Sequence, residues 1–190
     1  MAGNLDETRI DGESVWRGKM LEVCRDRVRL PDGREGVREF IRHPGASTIV
    51  PLLDDGRVLI ERQFRYPVGR TFIEFPAGKI DPGETPAQTA ARELIEETGW
   101  RAGKLAHLTT IHNAIGYSDE RIEIFVAKEL VREQQRLDAG EFVEVEAVTL
   151  DWLLQEVLAG RITDVKTQCG VFWLERLVSG RLAWPRFETP

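Results

Sequence analysis

Glu93, Glu96 and Glu97 stand three and four residues apart, a spacing that sets side chains beside one another on a helix. Like charges so placed cost about 0.2–0.5 kcal/mol per pair in an isolated helix. No Lys or Arg lies four residues from Glu93 to offset them. A hard divalent cation would: carboxylate oxygens suit Mg2+ or Mn2+, whereas softer metals favour Cys and His. The bland alternative is a solvated acidic helix face. Against it stands the frame around the glutamates, G-x5-E-x7-R-E-U-x-E-E-x-G-U from Gly78 to Trp100, with U a bulky apolar residue. At roughly one in fifteen per position, its fixed residues (Gly78, Glu84, Arg92, Glu93, Glu96, Glu97 and Gly99) would coincide by chance about once in 10^8 starts. A function for the spacing is therefore the better reading.

The elements that must carry these residues are legible. Asp81-Pro82-Gly83 is a turn signal. Thr85 is a good N-cap, Pro86 suits the first helical position, and Gln88 completes a capping box. Gly99 can stop the helix in a left-handed conformation. The spacing predicts a helix from about Pro86 to Thr98, with Ala87, Ala90, Ala91, Leu94 and Ile95 on its apolar side. Glu84 and Arg92 are positioned to pair and pin the loop against this helix.

Composition sets the bounds. The chain has 190 residues, 42% hydrophobic content and a net charge of −6, which fits one globular domain with at most a small appendage. An acidic chain argues against nonspecific binding to nucleic acid or anionic membrane. Cys24 and Cys169 are far apart and form no C-x-x-C motif, which points to a reducing, cytoplasmic setting. The opening MAGNLDETRI is polar and does not read as a signal peptide.

Residues 1–14 read as a flexible N-terminus and residues 15–45 as an antiparallel sheet built on the hairpin around Pro31-Asp32-Gly33. Residues 46–182 read as the main domain and 183–190 as a tail. Main-domain strands are expected at Ser47–Leu53, Arg57–Phe64, Thr71–Phe75, Lys104–His112, Arg121–Ala127 and Phe142–Leu150, and helices at Asp151–Leu158 and Asp164–Val178. Leu174, Leu177 and Val178, with Val171 one turn earlier, give the last helix an apolar stripe. The order implies an α/β fold, a mixed sheet between helical layers.

The Gly78–Trp100 segment resembles the signature of the Nudix hydrolases. The flanks Glu61-Arg62-Gln63-Phe64-Arg65-Tyr66-Pro67-Val68-Gly69 and Glu74-Phe75-Pro76-Ala77-Gly78-Lys79-Ile80 are similar to the branch that acts on ADP-ribose and other nucleoside diphosphate sugars. The resemblance spans roughly residues 15–180. It implies an α/β/α sandwich with an N-terminal sheet that helps form a homodimer. It also implies Mg2+-dependent attack of water on a diphosphate, giving a nucleoside monophosphate and a sugar phosphate. ADP-ribose, ADP-glucose and GDP-mannose are the substrates in view.

The metal ligands so implied are Glu93, Glu96, Glu97 and the carbonyl of Ala77, with Mn2+ as a substitute metal. The branch often takes its general base from a loop glutamate beyond the box. Glu141, closing the Arg132–Glu141 loop, fits best, with Glu120 and Glu144 as alternatives. Arg65 and Glu120 are candidate substrate contacts, although a structural salt bridge is at least as good a reading of Arg65. Tyr66 and Phe40 read first as packing residues, and His43, His107 and His112 show no metal-ligand spacing.

Ile115 stands where ADP-ribose enzymes usually carry proline, and Tyr117 lies near a tyrosine that marks dinucleoside polyphosphate hydrolases. That second substrate class stays open. A non-catalytic nucleotide-sugar sensor is the alternative of another kind, disfavoured because all three box glutamates are present.

Overall fold

A computed structural model describes residues 5–190, which divide into two compact units. The first comprises residues 5–44 and 112–121. Its sheet runs β1 (Thr8–Arg17), β2 (Glu22–Arg29) and β3 (Glu35–Arg42), antiparallel in that order. The hairpin turn is the expected one, with Gly33 at φ 87° donating its N–H to the Leu30 carbonyl. Strand β1 begins at Thr8, so residues 8–14, expected within a flexible terminus, are extended and paired. Cross-strand ion pairs provide the reason: Arg27 grips Asp11, and Arg9 Nε donates to the buried Asp26 at 2.8 Å. Residues 1–4 of that expected segment lie outside the described residues.

The second unit holds residues 45–111 and 122–190. Its elements are β4 (Ala46–Pro51), β5 (Val58–Arg65), β6 (Arg70–Glu74), β7 (Ala77–Lys79), α1 (Pro86–Thr98), β8 (Trp100–Arg101), β9 (Lys104–Ile111), β10 (Ile122–Lys128), β11 (Val131–Arg132), β12 (Val143–Val148), α2 (Leu150–Leu158) and α3 (Val165–Val178). One sheet is mixed, in the order β7-β4-β10-β9, with β4 and β10 parallel. A second, β12-β5-β6, is antiparallel, and β11 pairs with β8.

Strand alternation divides the core between two layers. Ile49, Phe125 and Ala127 join Ala90 and Leu94 of α1 in one apolar cluster. Val50, Ile124 and Val126 join Val171 and Leu174 of α3 in the other. The central sheet is thus sandwiched between helices, as an α/β/α arrangement requires. On α3, Leu177 completes the stripe, but Val178 is exposed and stands off it. The tail is not loose throughout: Leu105 and Glu188 exchange backbone hydrogen bonds of 2.9 Å. No helix among the described residues is long and apolar enough to cross a membrane.

Candidate active site

Helix α1 starts and stops on local signals. Thr85 Oγ1 accepts the Gln88 N–H, Gln88 Oε1 accepts the Thr85 N–H at 2.8 Å, and Gly99 caps the far end at φ 69°. Glycine at 99 has a second cause: a Cβ there would lie 2.9 Å from the Gln135 backbone nitrogen. The 133–136 strand-to-loop segment closes on this helix end. Glu133 N–H donates to the Gly99 carbonyl, Arg136 N–H to the Glu96 carbonyl, and Gln135 Nε2 to the Glu97 carbonyl. These bonds satisfy carbonyls that a helix end leaves without partners.

Arg92 is the hub of the box. Its Nε and Nη2 donate to Glu84 at 2.9 and 3.0 Å, and its Nη1 donates to both Glu93 and Glu96 at 2.8 Å. The Glu84–Arg92 pair is therefore present, and the Arg92 hydrogen bond holds the Glu84 carboxyl down at about 2. The expectation that Glu93 has no cation to relieve it needs correction. Spacing of four residues missed the adjacent Arg92, whose long guanidinium curls back to serve Glu93 from the next position.

Glu93 also leans over Gly78. A Cβ on Gly78 would sit 1.7 Å from Glu93 Oε1, so only glycine leaves room for the carboxylate. Burial pushes the Glu93 carboxyl up to about 7, against the pull of Arg92. Glu97 is 2% exposed and accepts the Ala77 N–H on Oε2 at 2.8 Å. Its carboxyl is raised well above the usual range, first by burial and then by the charges of Glu61, Glu93 and Glu141. The loop carboxylate Glu141 is thus within electrostatic reach of the box, and Gln63 Nε2 donates to its Oε1 at 3.3 Å.

The remaining expected residues fall elsewhere. Arg65 makes a two-point ion pair with the buried Glu74, 2.8 Å on each arm. This is the salt-bridge reading of Arg65, and Lys166 from α3 meets the same carboxylate. Burial pushes Glu74 up, but these two cations hold it low. Glu120 belongs to the first unit, where the His43 ring nitrogen stands 3.6 Å from its carboxylate.

The reading by motif missed Glu61, which is fully buried on β5, and Lys166, which is nearly so. The one signal for Glu61 was a charge closing the apolar run Val58-Leu59-Ile60.

All donors near α1 are oxygens, the set that suits a hard dication. Among the described residues no group of three His, Cys, Asp or Glu is arranged to hold a metal ion. Arg92 instead holds oxygens of Glu93 and Glu96, and Ala77 holds one of Glu97. The donor set nonetheless fits a divalent ion, because both oxygens of the buried Glu61 lack any hydrogen-bond partner.

A capped helix bearing three glutamates over the glycine of β7, on a sheet between helical layers, presents an all-oxygen donor set. The chain belongs to the Nudix family: the NUDIX domain matches residues 42–167. It is 40% identical to an ADP-ribose pyrophosphatase of Bacillus subtilis (strain 168), over 90% of this chain and 94% of that one. It is 36% identical to a methanol dehydrogenase activator of Bacillus methanolicus, over 90% and 93% of the two chains. The crystal structure of an ADP compounds hydrolase superposes with a TM-score of 0.84 at 24% identity, covering 95% of this chain and 98% of that one. The last likeness bears on the fold alone. Dependence on a divalent metal is typical of the family.

Proposed function

We propose that this protein hydrolyses the diphosphate bridge of ADP-ribose or a related nucleoside diphosphate sugar, with Mg2+ as the metal. One observation carries the reading. Glu93 and Glu97 converge on Ala77–Gly78 of β7, and the charge of Glu141 acts on both. The 40% identity to an ADP-ribose pyrophosphatase supports the substrate class.

Glu93, Glu96, Glu97 and the Ala77 carbonyl would hold the metal, and Glu84 with Arg92 fixes the loop that presents them. Bound Mg2+ would neutralise the diphosphate and acidify the attacking water. Glu141 is the candidate base: it takes the proton as the water oxygen bonds to phosphorus. The bridging P–O bond breaks, and a nucleoside monophosphate and a sugar phosphate leave. Arg65 and Glu120 are the candidate substrate contacts, Arg65 through whatever part of its guanidinium Glu74 leaves open.

We place the protein in the cytoplasm, which its two free cysteines support. We also expect a homodimer through the β1–β3 sheet, where Trp16 and Val37 are 56% and 55% exposed. Light scattering tests the dimer.

The activity is tested with a panel of ADP-ribose, ADP-glucose, GDP-mannose, UDP-glucose and diadenosine polyphosphates, each with Mg2+. A nucleotide sugar is expected to release monophosphate products, and Glu97→Gln is expected to lose at least ~100-fold in kcat, about 2.7 kcal/mol of transition-state stabilisation. No turnover of any compound by the wild-type protein would end the proposal.

A further inference from the structure

Strand β5 places two polar side chains on one face, Glu61 and Gln63, two residues apart. Glu61 is fully buried, and neither of its oxygens has a hydrogen-bond partner. The Oε1 of Gln63 is likewise buried and unpartnered. An unsatisfied buried polar group is destabilising, more so when charged, so three such oxygens on one strand face call for a partner of their own.

The neighbouring cations do not provide it. Glu74, directly across the strand pair from Glu61, takes both Arg65 and Lys166. Arg92 is engaged by Glu84, Glu93 and Glu96. The charges of Glu61, Glu93 and Glu141 all add to what burial does in raising Glu97. Glu61 and Glu97 thus belong to one crowded acidic group, one on a strand and one on the box helix.

We propose that Glu61, with Gln63 Oε1 beside it, is an oxygen ligand of the divalent-cation site, furnished by β5 and shared with Glu97. Two carboxylates and an amide oxygen form a hard donor set of the kind that holds Mg2+ or Mn2+. The inference rests on the metal site read above and extends it from the helix to the strand behind it. The rival reading is a neutral core acid that never meets metal.

Binding of Mn2+ is measured by electron paramagnetic resonance and calorimetry on the full chain, without substrate. Glu61→Gln keeps shape and removes the charge. It is expected to lose one Mn2+ per chain or to bind at least ~10-fold more weakly, with its circular dichroism unchanged. Equal stoichiometry and affinity in Glu61→Gln would overturn the inference while leaving the helix site intact. Wild-type protein that binds no Mn2+ would instead bring down the site reading beneath it. Should the variant fail to fold, a wild-type crystal soaked in Mn2+ decides. An anomalous peak about 2.1 Å from a Glu61 oxygen supports the assignment, and peaks ligated only by the box glutamates overturn it.

Discussion

Glu93 lies where the side chain of residue 78 would be: Oε1 falls 1.7 Å from the Cβ that any residue but glycine would carry there. The first glycine of the box and its first helical glutamate are therefore one device. Strand β7 lacks a side chain at Gly78, and the carboxylate occupies that space.

Gly78→Ala should therefore act on the metal rather than on the fold. The displaced group is the end of a flexible side chain, so the thermal midpoint should move little, by less than about 1 kcal/mol in stability. Mn2+ affinity should fall about 10-fold, because Glu93 is forced out of its seat. A titration that leaves affinity unchanged would separate Gly78 from the function of Glu93.

Glu141→Gln should separate proton transfer from metal binding. The amide keeps an oxygen for the contact with Gln63 but cannot take a proton from water. We expect kcat to fall by about 10²- to 10⁴-fold with Mn2+ stoichiometry unchanged. Glu144→Gln and Glu120→Gln serve as comparisons. If one of these abolishes turnover while Glu141→Gln does not, the base has been misassigned.

The buried carboxylates also set a pH dependence. Burial raises Glu93 from 4.5 to about 7 and raises Glu97 in the same direction. Between those values the folded chain holds protons that the unfolded chain has released. The stability associated with Glu93 is thus fully present below about pH 4.5 and is lost as pH rises through about 7. At about 1.4 kcal/mol per pH unit the loss is roughly 3–4 kcal/mol for Glu93. Denaturant melts of metal-free protein should show stability falling across this window, and saturating Mg2+ should reverse the trend because metal and proton compete for the same oxygens. Melts that rise with pH without metal would contradict the assignment.

The box helix was readable because its signals are local: Thr85, Pro86 and Gln88 at one end and Gly99 at the other bound α1 at the expected residues. The three-layer α/β order was readable for a similar reason, since most main-domain strands and helices are apolar runs bounded by turns in the sequence itself. Other features depend on parts of the chain that meet only when folded. Strand β1 is exposed along its length and held by Arg–Asp pairs to β2, so nothing in its own pattern marked it as a strand. Arg65 read from sequence as either a substrate contact or a salt bridge, and only the fold supplied its partner, Glu74 of β6. The burial of Glu61 goes with the pairing of β5 between β12 and β6, which its neighbours in sequence do not encode.

The clamp between residues 133–136 and the end of α1 has a further consequence. Beyond it, Asp138–Glu141 form an exposed tight turn in which the Glu141 N–H donates to the Asp138 carbonyl and Gly140 meets open space at φ 89°. Evolution can lengthen or shorten that tether without loosening the helix that carries the box glutamates. Such indels would change how far the glutamate at its end reaches, a simple route by which descendants of one scaffold could come to accommodate leaving groups of different bulk.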